Sequence, residues 1–493
     1  MSRTPNRRDL IHVAGDPRVY NRINVLIVLL IPLAMSLMAV SSTSVALPSM
    51  QSELAASDAD IQWVLAGYSL VYGVSMVPFG RMGDLLGRGR LFVIGVALFT
   101  LASLWCGLSS NPGSLIAARV LQGIGSGMLS PQITGMITQY FSGQGRAKAF
   151  SLFGVVVSAS VAVGPLLTGF IIALLGPSIG WRTSFIVNVV FGVVAIVLAA
   201  RWFPFDMEKR RKQAKEAGVD VESSLDLDPV GALLLAVAVL LVMLPFILQV
   251  PALYGLVALG ALALVGWVWW ERHYAARGRS PMVDLSLFRH RSYSFSTAIS
   301  SIQMMAGPSV FVIIALYVQR DLGATALVSA LVGLPNAVAS AIGASASGKH
   351  ALTIGRNLVV TALLLMIGGV LLAAGLVAWL DRAVPLWALA GALVVMGFGQ
   401  GVMGSVNQTL ALAEIPATEG GVAGGVKQTG ERVATAMSQA IFPAIFFAAA
   451  NHDWSRGLVN AYLAIAGTAL VSAILAIVDR VQGGPGVPAE LRR

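Results

Sequence analysis

Residues 424–437, GGVKQTGERVATAM, place Lys427, Gln428, Glu431 and Arg432 within six positions of an otherwise apolar run. On a helix Lys427 and Glu431 stand one turn apart and face each other, with Arg432 adjacent. A carboxylate held among cations can bind and release a proton, and Glu431 is the one carboxylate expected inside a crossing helix of this chain. Two readings are open. Residues 433–450 supply 18 largely apolar positions, enough to leave the charges as an ion pair anchoring the helix end. Alternatively, the cluster faces a polar cavity and changes charge there.

Three further segments combine charge, glycine and proline in ways that suit moving helices. In GRMGDLLGRGR (80–90), Gly80, Gly83 and Gly87 let helix ends approach closely, and Asp84 is placed to pair with Arg88 or Arg90 or to meet a helix N-terminus. This is the composition of a latch between helical blocks; the plainer alternative is an ordinary basic loop. In RVLQGIGSGM (119–128), Arg119 lies inside an apolar helix, where an unpaired guanidinium is costly, and Gln122 follows on the same face. Arg119 therefore needs a polar partner or an aqueous cavity, unless it snorkels to the nearby interface. In SASVAVGPLLTGF (158–170), Gly164-Pro165 removes a backbone donor and Gly169 thins the helix, which predicts a kink and a close-packing surface.

The elements that position these residues are long and apolar. The 493 residues are 56% hydrophobic and 11% charged, against about 25% charged in soluble domains, so a water-facing surface is excluded. Apolar stretches bounded by charges and turn residues predict fourteen crossing helices, among them 24–48, 229–250, 252–271 and 420–450. The first apolar stretch is too long for a signal-peptide core and is expected to remain as a span. The single cysteine, Cys106, rules out an intramolecular disulfide.

With the N-terminus inside, 26 of the 33 Lys and Arg fall in inside segments and only Arg182, Arg320, Arg382 and Arg456 outside. That bias predicts both termini in the cytoplasm of a multi-pass cell-membrane protein. The net charge of +10 is then a topology signal and a contact for anionic lipids, with no nucleic-acid partner expected. Two charged segments bracket a helix pair. The expected organisation is a tail (1–22), a six-helix bundle (23–201), linkers with two inserted helices (202–292), a second six-helix bundle (293–480) and a tail (481–493). The inserted pair is expected to pack at the side of the body.

These motifs, in this order, resemble those of the major facilitator superfamily, and the six-plus-two-plus-six count is similar to its fourteen-span drug:proton antiporters. GRMGDLLGRGR looks like the family's gate loop, RVLQG its fourth-helix motif and the Gly164-Pro165 segment its antiporter motif. The resemblance implies an all-α fold of two six-helix bundles around a cavity that opens alternately to each side. It further implies gating by Gly80, Gly83, Asp84, Gly87, Arg88 and Arg90, a hinge at Gly164, Pro165 and Gly169, and coupling or cavity roles for Arg119, Gln122, Lys427, Gln428, Glu431 and Arg432. Met35, Met38, Tyr68, Gln132, Gln303, Asn336 and Asn407 are weaker cavity candidates, residues of a kind that more often make an ordinary interhelix contact than bind a ligand.

The chain departs from the family pattern in its first helix, where Ala39 replaces an acid, and in the second-half loop GASASGKHALTIGR (343–356), which has Lys349 and Arg356 but no acid. The expected function is export of amphiphilic or drug-like compounds by a monomer, with protons as coupling ion and no other cofactor. Export of lipids or lipid-linked compounds is the alternative, and a non-transporting sensor or scaffold is the rival from another class. No GxxxxGK[ST] loop, metal cluster or nucleophile-base pair is present to suggest ATP-driven transport or an enzyme.

Overall fold

The computed structural model describes residues 10–12, 19–203, 205, 226–324, 326–450 and 453–487. The rest of the N-terminal tail, most of the 202–228 linker and residues 488–493, with the charges counted there, lie outside the described residues. The helices are α1 (Arg22–Leu54), α2 (Asp58–Leu86), α3 (Arg88–Leu108), α4 (Pro112–Tyr140), α5 (Gly143–Trp202), α6 (Pro229–Leu248) and α7 (Gly255–Ala276). They continue as α8 (Arg291–Ala306), α9 (Pro308–Leu316), α10 (Ala326–Ser347), α11 (Ala351–Leu380), α12 (Leu386–Ala411), α13 (Gly420–Ala450) and α14 (Trp454–Gly483). A short antiparallel hairpin, β1 (Leu10–His12) with β2 (Val19–Asn21), precedes them.

Side-chain caps set several helix starts by satisfying amides that have no intrahelical acceptor. Ser57 and Asp60 form a reciprocal capping box on α2. Asn111 accepts from Ser114 N–H (2.9 Å) just ahead of Pro112, and Asp453 caps α14. Gly176 (φ 80°, ψ 165°), followed by Pro177, breaks the 60-residue α5 into two helices.

Among the described residues, eleven helices are long and apolar enough to cross a membrane, counting α5 once. The polar helix α4 is outside that number, yet 19 of its 29 residues are buried, including Arg119, Gln122 and Gln132. A helix surrounded by other helices need not be apolar all round, which is why composition alone underestimates it. Lipid-type faces appear elsewhere: Phe170, Leu174, Val190, Leu233, Leu262 and Trp379 are among the exposed large hydrophobics.

Helix α1 packs along α5, and α4 lies between α2 and α3. In the second half α12 packs against α10 and α11, while α14 packs against α11, α13 and α8. The two groups meet where α13 touches α2 and α4, and where α5 touches α10 and α12. The α6–α7 pair sits beside this body, with α6 against α2 and α13.

Through Gly164-Pro165 the backbone keeps helical φ/ψ, and within α5 it is Gly176 that departs from it. Gly164 packs closely on α1: a Cβ there would reach the Met38 carbonyl oxygen at 3.1 Å and the Ser41 and Ser42 hydroxyls, whereas Gly169 meets only Val45 at 3.9 Å. One expectation is corrected: Glu431 is not the sole carboxylate in a crossing helix. The helices run past their apolar windows and carry Asp84, Glu271 and Asp479 at their ends, the last two buried.

Candidate functional site

The latch is built where α2 ends. Gly87 adopts φ 110°, ψ 118°, a conformation natural to glycine, and turns the chain directly into α3. That turn sets Asp84 opposite Arg88, whose Nε donates at 2.7 Å. Asp84 also accepts from the amides of Gly421 (3.2 Å) and Val422 (2.9 Å), the first residues of α13. A carboxylate thus sits on a helix N-terminus, where unsatisfied N–H groups and the helix dipole favour negative charge. Arg88 closes the circuit by donating to the carbonyls of Gly135 (2.8 Å) and Ala417 (2.6 Å) and to the Gln139 side chain (2.9 Å). Close approach requires Gly80, where a Cβ would lie 2.7 Å from the Gly421 carbonyl oxygen. Gly83 makes room for the Gln132 side chain.

Arg90, expected to share this role, is exposed, and the ion pair to Asp84 belongs to Arg88. A second arginine, which the sequence did not single out, does cross between the halves. Arg146 donates to the Leu412 carbonyl (2.9 Å) at the end of α12, and to Phe141 and Thr138 at the end of α4. Farther along, Ser151 donates to the Ala344 carbonyl (2.6 Å), and Ser158 bonds Ser340 across α5 and α10 (2.7 Å).

Above the latch, α13 runs against α2 and α4. Gln428 donates to Thr134 (3.1 Å), Thr429 to the Gly73 carbonyl (3.1 Å), and the Arg432 guanidinium stacks over Tyr72 at 4.5 Å. Lys427 forms an ion pair with Glu431, as the spacing predicts. Gly424 and Gln428 face Thr134 of α4, whereas Gly430 faces Ser301 of α8. At about 100° per residue, Glu431 falls on the side of α13 between these two neighbours, directed at the space between the halves. Its side chain keeps 21% exposure while Lys427 keeps 4%. Eleven residues separate Glu431 from Gly420 and nineteen from Ala450, roughly 16 Å and 28 Å of helix.

The other candidates are distributed through the helical interior. Arg119, 1% exposed, donates to the Val64 carbonyl (3.1 Å) and Gln122 (2.6 Å) and lies 4.3 Å over the Tyr68 ring. Gln122 passes the chain on to Ser103 (2.8 Å), and the Tyr68 hydroxyl joins Ser126 (2.7 Å) and Ser36 (3.2 Å). Arg119 therefore has the polar partner it needs, inside the first helical group, and neither it nor Tyr68 lines an open cavity. Gln132 donates to the Phe79 carbonyl (2.7 Å) beside the latch. Asn336 ties α10 to the Leu393 carbonyl (2.9 Å) and Asn407 ties α12 to the Ser296 carbonyl (2.9 Å). Gln303 is buried beside Gly307, its amide nitrogen unpaired. Met35 is buried, and Met38 is half-buried next to Gly164.

The acid missing from the second-half loop comes from another helix. Arg356 pairs with Asp479 of α14 (2.8 Å) and donates to Ser292 (2.7 Å) and the Gly483 carbonyl (3.0 Å). Its partner lies 123 residues away, so no local motif could reveal it.

The family model described as Major Facilitator Superfamily matches residues 29–439. The chain belongs to the Major Facilitator Superfamily. As a superfamily member it is a membrane-embedded secondary transporter and not an enzyme. It is 30% identical over 440 residues to a "Probable actinorhodin transporter" of Streptomyces coelicolor, covering 88% of this chain and 74% of that protein. It is 29% identical to "Puromycin resistance protein pur8" of Streptomyces alboniger, covering 87% and 81%. The proton:xylose symporter XylE superposes with a TM-score of 0.65 at 16% identity, covering 95% of this chain and 98% of XylE, which is a likeness of fold alone.

Proposed function

We propose that this superfamily transporter exports small amphiphilic or drug-like compounds in exchange for protons, with Glu431 as the proton-binding group. The observation that carries the reading is the placement of Glu431: inside the long helix α13, partly exposed, on the side between α4 and α8 and paired with Lys427. Protonation would release Lys427 from its ion pair and so change what α13 offers to α4 and α8. The drug- and antibiotic-related names of the relatives support the substrate class. Protons are the only coupling agent invoked.

The proposed arrangement is fourteen spans, with bundles 23–201 and 293–480 joined through the inserted pair, both termini in the cytoplasm, acting as a monomer in contact with anionic lipids. On that orientation the Asp84 latch closes the cytoplasmic side. Gly164 provides the tight α1–α5 seam, while the Arg119 network makes the first bundle move as one body.

The deciding experiment is transport in proteoliposomes under an imposed pH gradient, comparing wild type with Glu431→Gln. Gradient-driven transport should be lost in the variant while substrate counterflow without a gradient persists. Full gradient-driven activity in Glu431→Gln would remove Glu431 from the coupling role. A lipid that copurifies stoichiometrically and is itself transported would redirect the substrate assignment to lipids.

A further inference from the structure

Two carboxylates meet at the N-terminal end of α6, away from the α13 cluster. Asp228 caps α6, accepting from the Gly231 amide (2.9 Å) and from the Trp270 indole N–H (3.0 Å). Glu271 of α7 converges on the same spot: a Cβ added to Gly231 would lie 2.8 Å from Glu271 Oε1 and in collision with Asp228 Oδ2. Both residues are 1% exposed. Neither oxygen of Glu271 has a hydrogen-bond partner. The Met282 and Val283 amides and the Trp267 indole face it without reaching hydrogen-bond geometry, and the Trp267 N–H is itself unpaired.

The two acids are therefore in unequal surroundings. Asp228 accepts from two N–H donors within hydrogen-bond distance, whereas the N–H groups facing Glu271 stay outside it and Glu271 faces Asp228 at close range. Among the described residues, no Lys or Arg makes an ion pair with either acid. The nearby acids and cations are engaged elsewhere. Asp226 lies outside the helices and is hydrogen-bonded by the Tyr274 hydroxyl (2.6 Å) and the Ser280 amide. Burial would raise the Asp226 carboxyl, but these bonds and the Arg279 charge hold it below its ordinary value. Asp284 and His290 face Glu419. Two adjacent buried carboxylates without a cation cannot both be ionised at acceptable cost, whereas one proton shared between them removes the repulsion and satisfies an orphan acceptor.

We propose that Asp228 and Glu271 form a proton-binding carboxyl pair, with the proton carried by Glu271 and donated to Asp228. The pair fastens the start of α6 to the end of α7, beside the buried Met282 and Val283 of the following segment. Because α6 also packs against α2, where a Cβ at Gly73 would lie 3.1 Å from the Met243 sulfur, the proton stabilises the seating of the inserted pair beside the α2–α13 seam. This site is independent of Glu431, and its test does not depend on transport.

The test is infrared difference spectroscopy of the purified full-length protein in lipid nanodiscs, titrated from mildly acidic to alkaline buffer, with thermal unfolding followed in parallel. The wild type should show a buried carboxylic-acid C=O band that disappears on alkalinisation and is missing from Glu271→Gln. Its unfolding temperature should fall as pH rises above the ordinary carboxylate range and level off once the band has gone, while Glu271→Gln, which keeps the shape without the charge, stays level. Asp228→Asn should retain the band and shift its disappearance, because the acceptor has changed. A wild-type spectrum with no such band at any pH, or one unchanged in Glu271→Gln, would overturn the proposal. So would stabilisation of the wild type by sodium or calcium at fixed alkaline pH, which would make the site a metal-cation site.

Discussion

At Asp84 a single carboxylate takes two backbone amide hydrogens and a guanidinium, linking α2, α3 and the start of α13. Hydrogen bonds to a charged group contribute about 1.5–3 kcal/mol each. Losing one of them in Asp84→Asn should shift the balance between closed and open latch by roughly tenfold or more. The readout is thiol labelling of Thr138→Cys, which lies under Gly420, in a Cys106→Ser background. Labelling should accelerate in the Asp84→Asn variant without loss of expression. Arg119 gives a contrasting expectation. Its guanidinium bridges the Val64 carbonyl and Gln122 while lying on Tyr68, a geometry lysine does not reproduce. Arg119→Lys should therefore lower the thermal unfolding temperature about as much as Arg119→Ala. A lysine variant as stable as wild type would point to simple charge placement instead.

At the scale of helices, the α2–α13 contact depends on two backbones touching. A side chain at Gly80 would strike the Gly421 carbonyl oxygen, with no flexible atom able to yield. Gly80→Val should keep the closed arrangement from forming and hold the transporter open on the latch side. Distance measurements between spin labels on α2 and α13 should then show a single long population where wild type shows a short one. A wild-type distribution would mean that the seam tolerates the extra atoms. The motif around Gly80 signalled close approach in advance because glycine between charged residues has few other uses. Gly164 carries the same signal: beside Pro165 it packs on α1, where a Cβ would meet the Met38 carbonyl oxygen and the Ser41 and Ser42 hydroxyls.

Across the whole molecule, the named bonds between the halves cluster toward the latch and along α5–α10. Alternating access requires them to break together. Ser158 and Ser340 are joined at 2.7 Å, close enough for a disulfide after Ser158→Cys and Ser340→Cys with Cys106→Ser. Oxidation should stop transport and reduction should restore it; continued transport by the cross-linked protein would mean that this seam stays shut throughout the cycle. The sequence by itself determined the membrane-spanning class, the latch motif and the Lys427–Glu431 pair, because hydrophobic length, charge distribution and one-turn spacing are local properties. Tertiary structure decided which partners those charges meet. It gave Asp84 the amides of α13, Arg356 the carboxylate of Asp479 and Arg119 the Tyr68 face, and it left Glu271 beside Asp228 with no cation paired to it among the described residues. These contacts join residues tens to hundreds of positions apart, and only the packing of helices brings them within hydrogen-bond reach.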